Sequence, residues 1–150
     1  MKLVIQRVNE ASVTVNDAIH SQIDQGLLVF VGITNDDDQS DIDWLINKVL
    51  NLRIFNDSEG IMNLSLQQVE GELLIVSQFT LHASTKKGNR PSYIKSAKPE
   101  IAIPLYNKFI QTIDKQYSNK VKSGVFGADM KVNLLNDGPV TILIDSKDKV

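Results

Sequence analysis

Cysteine is absent from this 150-residue chain. Disulfide scaffolds, thiolate zinc sites and cysteine nucleophiles are thereby excluded. Histidine occurs twice, as His20 and His82, too sparsely for a His-rich metal site. No metal and no cofactor is expected. A long hydrophobic run is also lacking. The longest is Leu27–Val31 between Gly26 and Gly32, far short of the roughly 20 residues of a membrane-spanning helix. The start, Met1 to Arg7, lacks the apolar stretch and small-residue cleavage site of a secretory leader and reads as a strand. A cytoplasmic protein with no membrane contact is expected. Excess charge of one sign is missing too. Sixteen Lys and Arg against eighteen Asp and Glu give −2, which excludes a bulk electrostatic nucleic-acid binder and leaves room for a local basic patch. What remains is ordinary globular composition, 42% hydrophobic and 23% charged. The length suits one domain, 1–150, that buries about 68–70% of its unfolded surface.

Residues 2–8 and 11–15 are rich in β-formers and are split by Asn9-Glu10, which predicts a hairpin. A short strand is expected at 18–23 and a fully buried one at 26–33. Asp36, Asp37, Asp38, Asp41 and Asp43 follow. A calcium loop would need the glycine and closing Glu that are missing here. The better reading is a helix over 40–52, capped by Ser40 or Asp41, with the acids at its positive end. Ile42, Leu45, Ile46, Val49 and Leu50 then share one face. Residues 53–71 look irregular, and 72–81 predicts a second buried strand. A second helix is expected over 100–117, with Ile101, Leu105, Phe109, Ile110 and Ile113 inward and a start delayed by Pro104. Strands at 121–126, 130–135 and 139–145 close the chain. Strands interrupted by two helices predict an α/β fold with a mixed sheet.

Three places invite chemistry. Ser77-Gln78-Phe79-Thr80 ends a buried strand on polar residues. Strand alternation would put Gln78, Thr80 and His82 on one face, which makes a Thr–His nucleophile pair conceivable. The plain alternative is a strand fraying into solvent. From Ser84 to Lys98 there are five cations, Lys86, Lys87, Arg90, Lys95 and Lys98, and no acid. Interleaved Asn89 and Tyr93 suit phosphate contacts and a stacked base; a solvated loop is the alternative. Asn136-Asp137-Gly138-Pro139 is turn chemistry before a strand. Arg7 sits in a strand with few other charges, which suits either a specific partner or an edge position facing water. Val125–Met130 places small residues between apolar ones, as a bulge or a turn does.

Taken together these segments resemble the D-aminoacyl-tRNA deacylases. The SQFTL motif stands at Ser77–Leu81 and the NxGPVT motif at Asn136–Thr141. The opening KLVIQRV, the KKGNRPSY stretch at 86–93, PLY at 104–106 and FGADM at 126–130 support it. The resemblance implies a homodimer that hydrolyses the ester of D-aminoacyl-tRNA and of glycyl-tRNA(Ala). It implies that Gly138 and Pro139, joined by a cis bond and oriented by Arg7, reach across the dimer and reject L-amino acids. It places Ser77, Gln78, Phe79 and Thr80 at the catalytic pocket, with Ala102, Phe126 and Met130 lining it. It places tRNA contacts at Lys86, Lys87, Asn89 and Arg90. The family commonly carries an aromatic or a small residue where this chain has His82, so His82 is not a general base that the family relies on.

An aminoacyl ester is already activated. Positioned water and backbone N–H groups facing the oxyanion suffice in principle, with the ribose 2′-hydroxyl as helper. An acyl-enzyme on Thr80 is the competing route. A non-catalytic tRNA-binding module using the 84–98 patch is the alternative from another class, and a metal-dependent hydrolase is disfavoured by the missing Cys and scarce His.

Overall fold

Alternation along three strands sorts the apolar side chains into two cores. The computed structural model describes residues 1–118 and 120–150. On β3 (Gly26–Gly32), Leu27, Val29 and Val31 face one side and Leu28 the other. On β6 (Glu72–Ser77), Leu73 and Ile75 join the first set, while Leu74 and Val76 join the second. β3 and β6 are parallel neighbours. Such strands are buried on both faces and read as unbroken apolar runs. The helix between them, α1 (Gln39–Asn51), covers the first core with Ile42, Leu45, Ile46, Val49 and Leu50, the face expected from the sequence.

β1 spans Lys2–Val15 as one strand, not the hairpin expected around Asn9-Glu10. Those two residues are exposed, and the register against the partner strand slips between Gln6 and Val8 and again between Val8 and Glu10. The slips act as bulges that turn the strand over. Leu3 and Ile5 point into the first core, whereas Val8, Ala11 and Val13 point into the second. The real turn is Asn16-Asp17, both at positive φ (50° and 63°), which leads into β2 (Ala18–Ile23). Positive φ at both central residues is what a tight two-residue hairpin needs.

The sheet runs β2-β1-β3-β6-β7, where β7 is Val121–Ser123, shorter than the expected 121–126. β8 (Lys131–Asp145) pairs with β1 through residues 131–136 and 141–145, leaving 137–140 unpaired between them, and is one strand where two were expected. A two-strand sheet, β4 (Phe55–Asn56) with β5 (Met62–Leu64), occupies the segment expected to be irregular. α2 (Pro99–Gln116) connects β6 to β7 and starts at Pro99, with Pro104 inside it. Its buried stripe is Ala102, Tyr106, Phe109 and Ile113. Ile101, expected inward, is exposed. The face is rotated because Tyr106 has a place for its polar tip, donating to the Ile75 carbonyl at 3.1 Å.

The acids of residues 36–43 are spent on caps, ion pairs and local hydrogen bonds, Asp36 accepting from the Thr34 hydroxyl and Asp43 from the Gln39 side-chain amide. Asp38, not Ser40 or Asp41, is the N-cap of α1, and Asp41 completes the capping box. Asp37 takes the Met1 ammonium, and Lys147 donates to Asp41 at 2.8 Å. Among the described residues no group of three or more His, Asp or Glu is placed to hold a metal ion. Among the described residues no helix is long and apolar enough to cross a membrane.

Candidate active site

The strand expected over 72–81 stops at Ser77 because the chain turns there. Gln78 donates its N–H to the Val31 carbonyl at 2.8 Å, and Phe79–His82 form one 3₁₀ turn. Strand alternation therefore does not apply beyond Ser77, and Gln78, Thr80 and His82 do not share a face. The Thr80 hydroxyl accepts from the Gln78 side-chain amide. His82 lies buried, and its Nε2 has no partner among the described residues. The Thr–His pair does not form.

This turn forms one wall of a cleft of about 320 Å³ at the carboxyl ends of β3 and β6. Ser77, Gln78 and Phe79 line it beside Val31, Ile33 and Val76. Ala97 and Ala102 form the side toward α2. The opposite wall is the loop Phe126–Met130 with Val132 of β8. Of the expected site residues, the cleft gathers Ser77, Gln78, Phe79, Ala102, Phe126 and Met130. Thr80 is outside the lining and touches it through Gln78. Sequence reasoning missed Val31, Ile33, Val76 and Val132, which look like core in any strand, and Ala97. The 125–130 segment is a turn, with Ala128 N–H on the Val125 carbonyl and Gly127 at φ +77°. Gly124, just before it, leaves room for Met130, whose Sδ would lie 2.6 Å from a Cβ there. The 3₁₀ turn also leaves the N–H groups of Phe79 and Thr80 without a carbonyl inside it. An apolar floor with a few polar groups at the rim suits a small acyl group held beside reactive atoms.

Beyond the mouth, Phe79 meets Tyr93 edge-on at 5.1 Å between ring centres, and Ser96 donates to the Phe79 carbonyl at 2.8 Å. The basic segment is thus tied to the cleft. Lys86, Lys87, Asn89 and Arg90 are exposed. Among the described residues none of its five cations is in an ion pair.

Arg7 is 5% exposed and does not face water. It donates from Nε to the Asp137 carbonyl at 3.0 Å and from Nη1 to the Ile54 carbonyl at 2.7 Å, and it pairs with the Asp137 carboxylate at 3.3 Å. It clamps the turn that carries Gly138 and Pro139, whose peptide bond is cis. Asn136 closes the same turn by accepting from Val140 N–H at 2.8 Å. Gly138 is at φ +134°, and a Cβ there would sit 2.8 Å from Val140 Cγ2 and 3.1 Å from Arg7 Nη2. Gly138 and Pro139 are exposed and do not line their own chain's cleft. Register explains the separation: Arg7 pairs with Leu27 at one end of β3, while Lys2 pairs with Gly32 at the cleft end.

The family profile described as D-Tyr-tRNA(Tyr) deacylase matches residues 4–145. The chain belongs to this family. Among curated D-aminoacyl-tRNA deacylases, the Christiangramia forsetii protein is 62% identical and the Flavobacterium johnsoniae protein 58% identical, each over 99% of both chains. A solved structure titled c-Myc DNA Unwinding Element Binding Protein superposes with TM-score 0.92 at 41% identity, covering 97% of this chain and 98% of that one. A probable eukaryotic D-amino acid tRNA deacylase shares the fold at 20% identity, with TM-score 0.81 over 95% and 97% of the two chains. The mixed α/β architecture with two helices is thus the architecture of the D-aminoacyl-tRNA deacylases, and the resemblance in the motifs is borne out as a family of hydrolytic enzymes.

Proposed function

We propose that the cleft at Ser77–Phe79 hydrolyses the ester of D-aminoacyl-tRNA. The observation that carries this is a family match over residues 4–145 whose motif residues Ser77, Gln78 and Phe79 line one cleft, tied to an exposed basic loop. The aminoacyl group enters the apolar floor. The N–H groups of Phe79 and Thr80 face the developing oxyanion. Water attacks the carbonyl carbon, the ester C–O bond breaks, and the ribose oxygen leaves with a proton. The ribose 2′-hydroxyl orients the water, so Thr80 is not acylated. Lys86, Lys87, Asn89 and Arg90 hold the RNA backbone. The substrate is cytoplasmic, and so is the site of action.

The working unit is a homodimer in which Gly138 and Pro139 of one subunit wall the cleft of the other. Three features support it. The two residues are exposed, Arg7 and Asn136 hold their turn rigid, and β8 beside them shows Leu135 and Leu143 at 52% and 74% exposure. Such a wall rejects L side chains by clash and needs no contact with the D side chain. Many D-amino acids, and glycine on tRNA(Ala), then pass.

The test is release of amino acid from D-Tyr-tRNA and L-Tyr-tRNA side by side, with and without chelator. Release of the D-form alone, insensitive to chelator, is expected. Binding of tRNA without turnover of any ester would leave the binding-module reading. Thr80→Ala should retain substantial activity. Complete loss with tRNA binding and fold intact would move the mechanism to an acyl-enzyme.

A further inference from the structure

Beneath the turn that carries Gln78 and Phe79 lies a titratable group that deacylation leaves unused. His82 ends the turn, is 7% exposed, and its Nε2 has no hydrogen-bond partner among the described residues. The ring packs on the end of β3. A Cβ built on Gly32 would come within 2.9 Å of Leu81 Cβ, 3.0 Å of the Gln78 carbonyl oxygen and 3.1 Å of His82 Cδ2. Glycine at 32 is what allows the turn to sit so close. The same strand end takes the Gln78 N–H on Val31 and supplies Val31 and Ile33 to the cleft. The imidazole is thus packed into the joint between β3 and the catalytic turn.

We propose that His82 is a positioning residue: its neutral ring holds the 78–82 turn on β3, and a proton on it unseats Gln78, Phe79 and Thr80. This rests on reading the cleft as the deacylation site. Protonation turns both ring nitrogens into donors. Nε2–H would then be a buried charged donor without an acceptor, which the fold relieves by releasing the ring toward water. The surrounding charges decide how readily this happens. Burial is the largest influence and opposes the proton. The Gly32 backbone favours it, Lys2 and the Met1 ammonium oppose it, and Asp37 favours it. Asp37 is already engaged by Met1 and by the Thr34 N–H. The balance holds the ring below its ordinary 6.5. The sign follows: the unfolded chain takes the proton first as pH falls below 6.5, so the joint is intact above that pH and weakens below it.

The experiment uses the full chain, with D-Tyr-tRNA as substrate between about pH 5 and pH 8. The substrate's own amine titrates there as well, so wild type is read as a ratio to His82→Phe and to His82→Gln. Taken relative to its own value at the alkaline end, the ratio of kcat is expected to fall on acidification, approaching about tenfold per pH unit below the ring's pKa. Parallel profiles for wild type and variants would overturn the proposal. A second measurement needs no variant at His82. In His20→Gln protein one imidazole remains, and its NMR titration is compared with the amide shifts of Gln78 and Thr80. Amides that follow the imidazole midpoint support the coupling, and amides that ignore it overturn the proposal even if Phe at 82 fails to fold. Absence of wild-type turnover at every pH would instead sink the deacylation reading, and the NMR comparison would still decide the role of His82.

Discussion

Arg7→Lys isolates the clamp on the Gly138-Pro139 turn. Lysine keeps the charge but loses the planar fork, so one ammonium replaces donors that point two ways. Nη1 serves the Ile54 carbonyl at 2.7 Å, and Nε serves the Asp137 carbonyl and carboxylate at 3.0 and 3.3 Å. A single ammonium reaches one of these directions and leaves at least one part-buried carbonyl without its donor. Each such loss costs about 1–3 kcal/mol, and the weakened charge-assisted bond adds to it, so about 2–4 kcal/mol in all is expected. For a chain of this length that lowers Tm by roughly 5–15 °C. Thermal unfolding by circular dichroism reads the stability, and the ratio of D-Tyr-tRNA to L-Tyr-tRNA hydrolysis below Tm reads the wall. Both should fall. Lys131→Ala is the control, since its pairing with Asp129 is solvent-exposed on both sides and should contribute nothing measurable. Arg7→Lys protein that melts with wild type and discriminates as well would refute the clamp.

Gly138→Ala should relax chiral discrimination more than it lowers Tm, because its φ of +134° suits glycine and the added Cβ meets Val140 and the Arg7 guanidinium at 2.8 and 3.1 Å; an unchanged D/L ratio would count against the wall. Replacing Lys86 and Lys87 together with Gln should weaken tRNA binding and reduce the slope of log K against log salt by about 1 for each phosphate no longer neutralised; an unchanged slope would place the phosphates elsewhere. Burial pushes the Tyr106 phenol up to about 12, so the folded state should lose stability as pH rises from 10 toward that value. Tyr106→Phe should flatten that alkaline loss and cost only about 1 kcal/mol at neutral pH, since the Ile75 carbonyl still accepts from Gly124 at 2.9 Å; equal alkaline losses in both proteins would refute the assignment.

Local pattern alone specified a good part of this protein. The apolar runs at 27–31 and 73–76 call for strands buried on both faces, and the spacing of Ile42, Leu45, Ile46, Val49 and Leu50 picks out the inward face of α1. These are short-range periodicities, and a chain with one domain's worth of core has few ways to satisfy them. The SQFTL and GPVT motifs marked the family, and Ala102, Phe126 and Met130 line the same cleft as Ser77, Gln78 and Phe79. Long-range packing settled the rest. Asn9-Glu10 has turn chemistry, yet β8 runs alongside β1 and converts the would-be turn into bulges that send one strand into two cores. The inward face of α2 depends on where a tyrosine hydroxyl finds the Ile75 carbonyl. The partners of Arg7 lie 47 and 130 residues away, so no local pattern separates a buried clamp from an edge arginine. His82 read as a strand residue because the turn that buries it forms only when Gln78 meets the end of β3. Local spacing sets which side chains can share a face; which groups meet across the chain is set by tertiary packing and by the cost of leaving a buried polar atom without a partner.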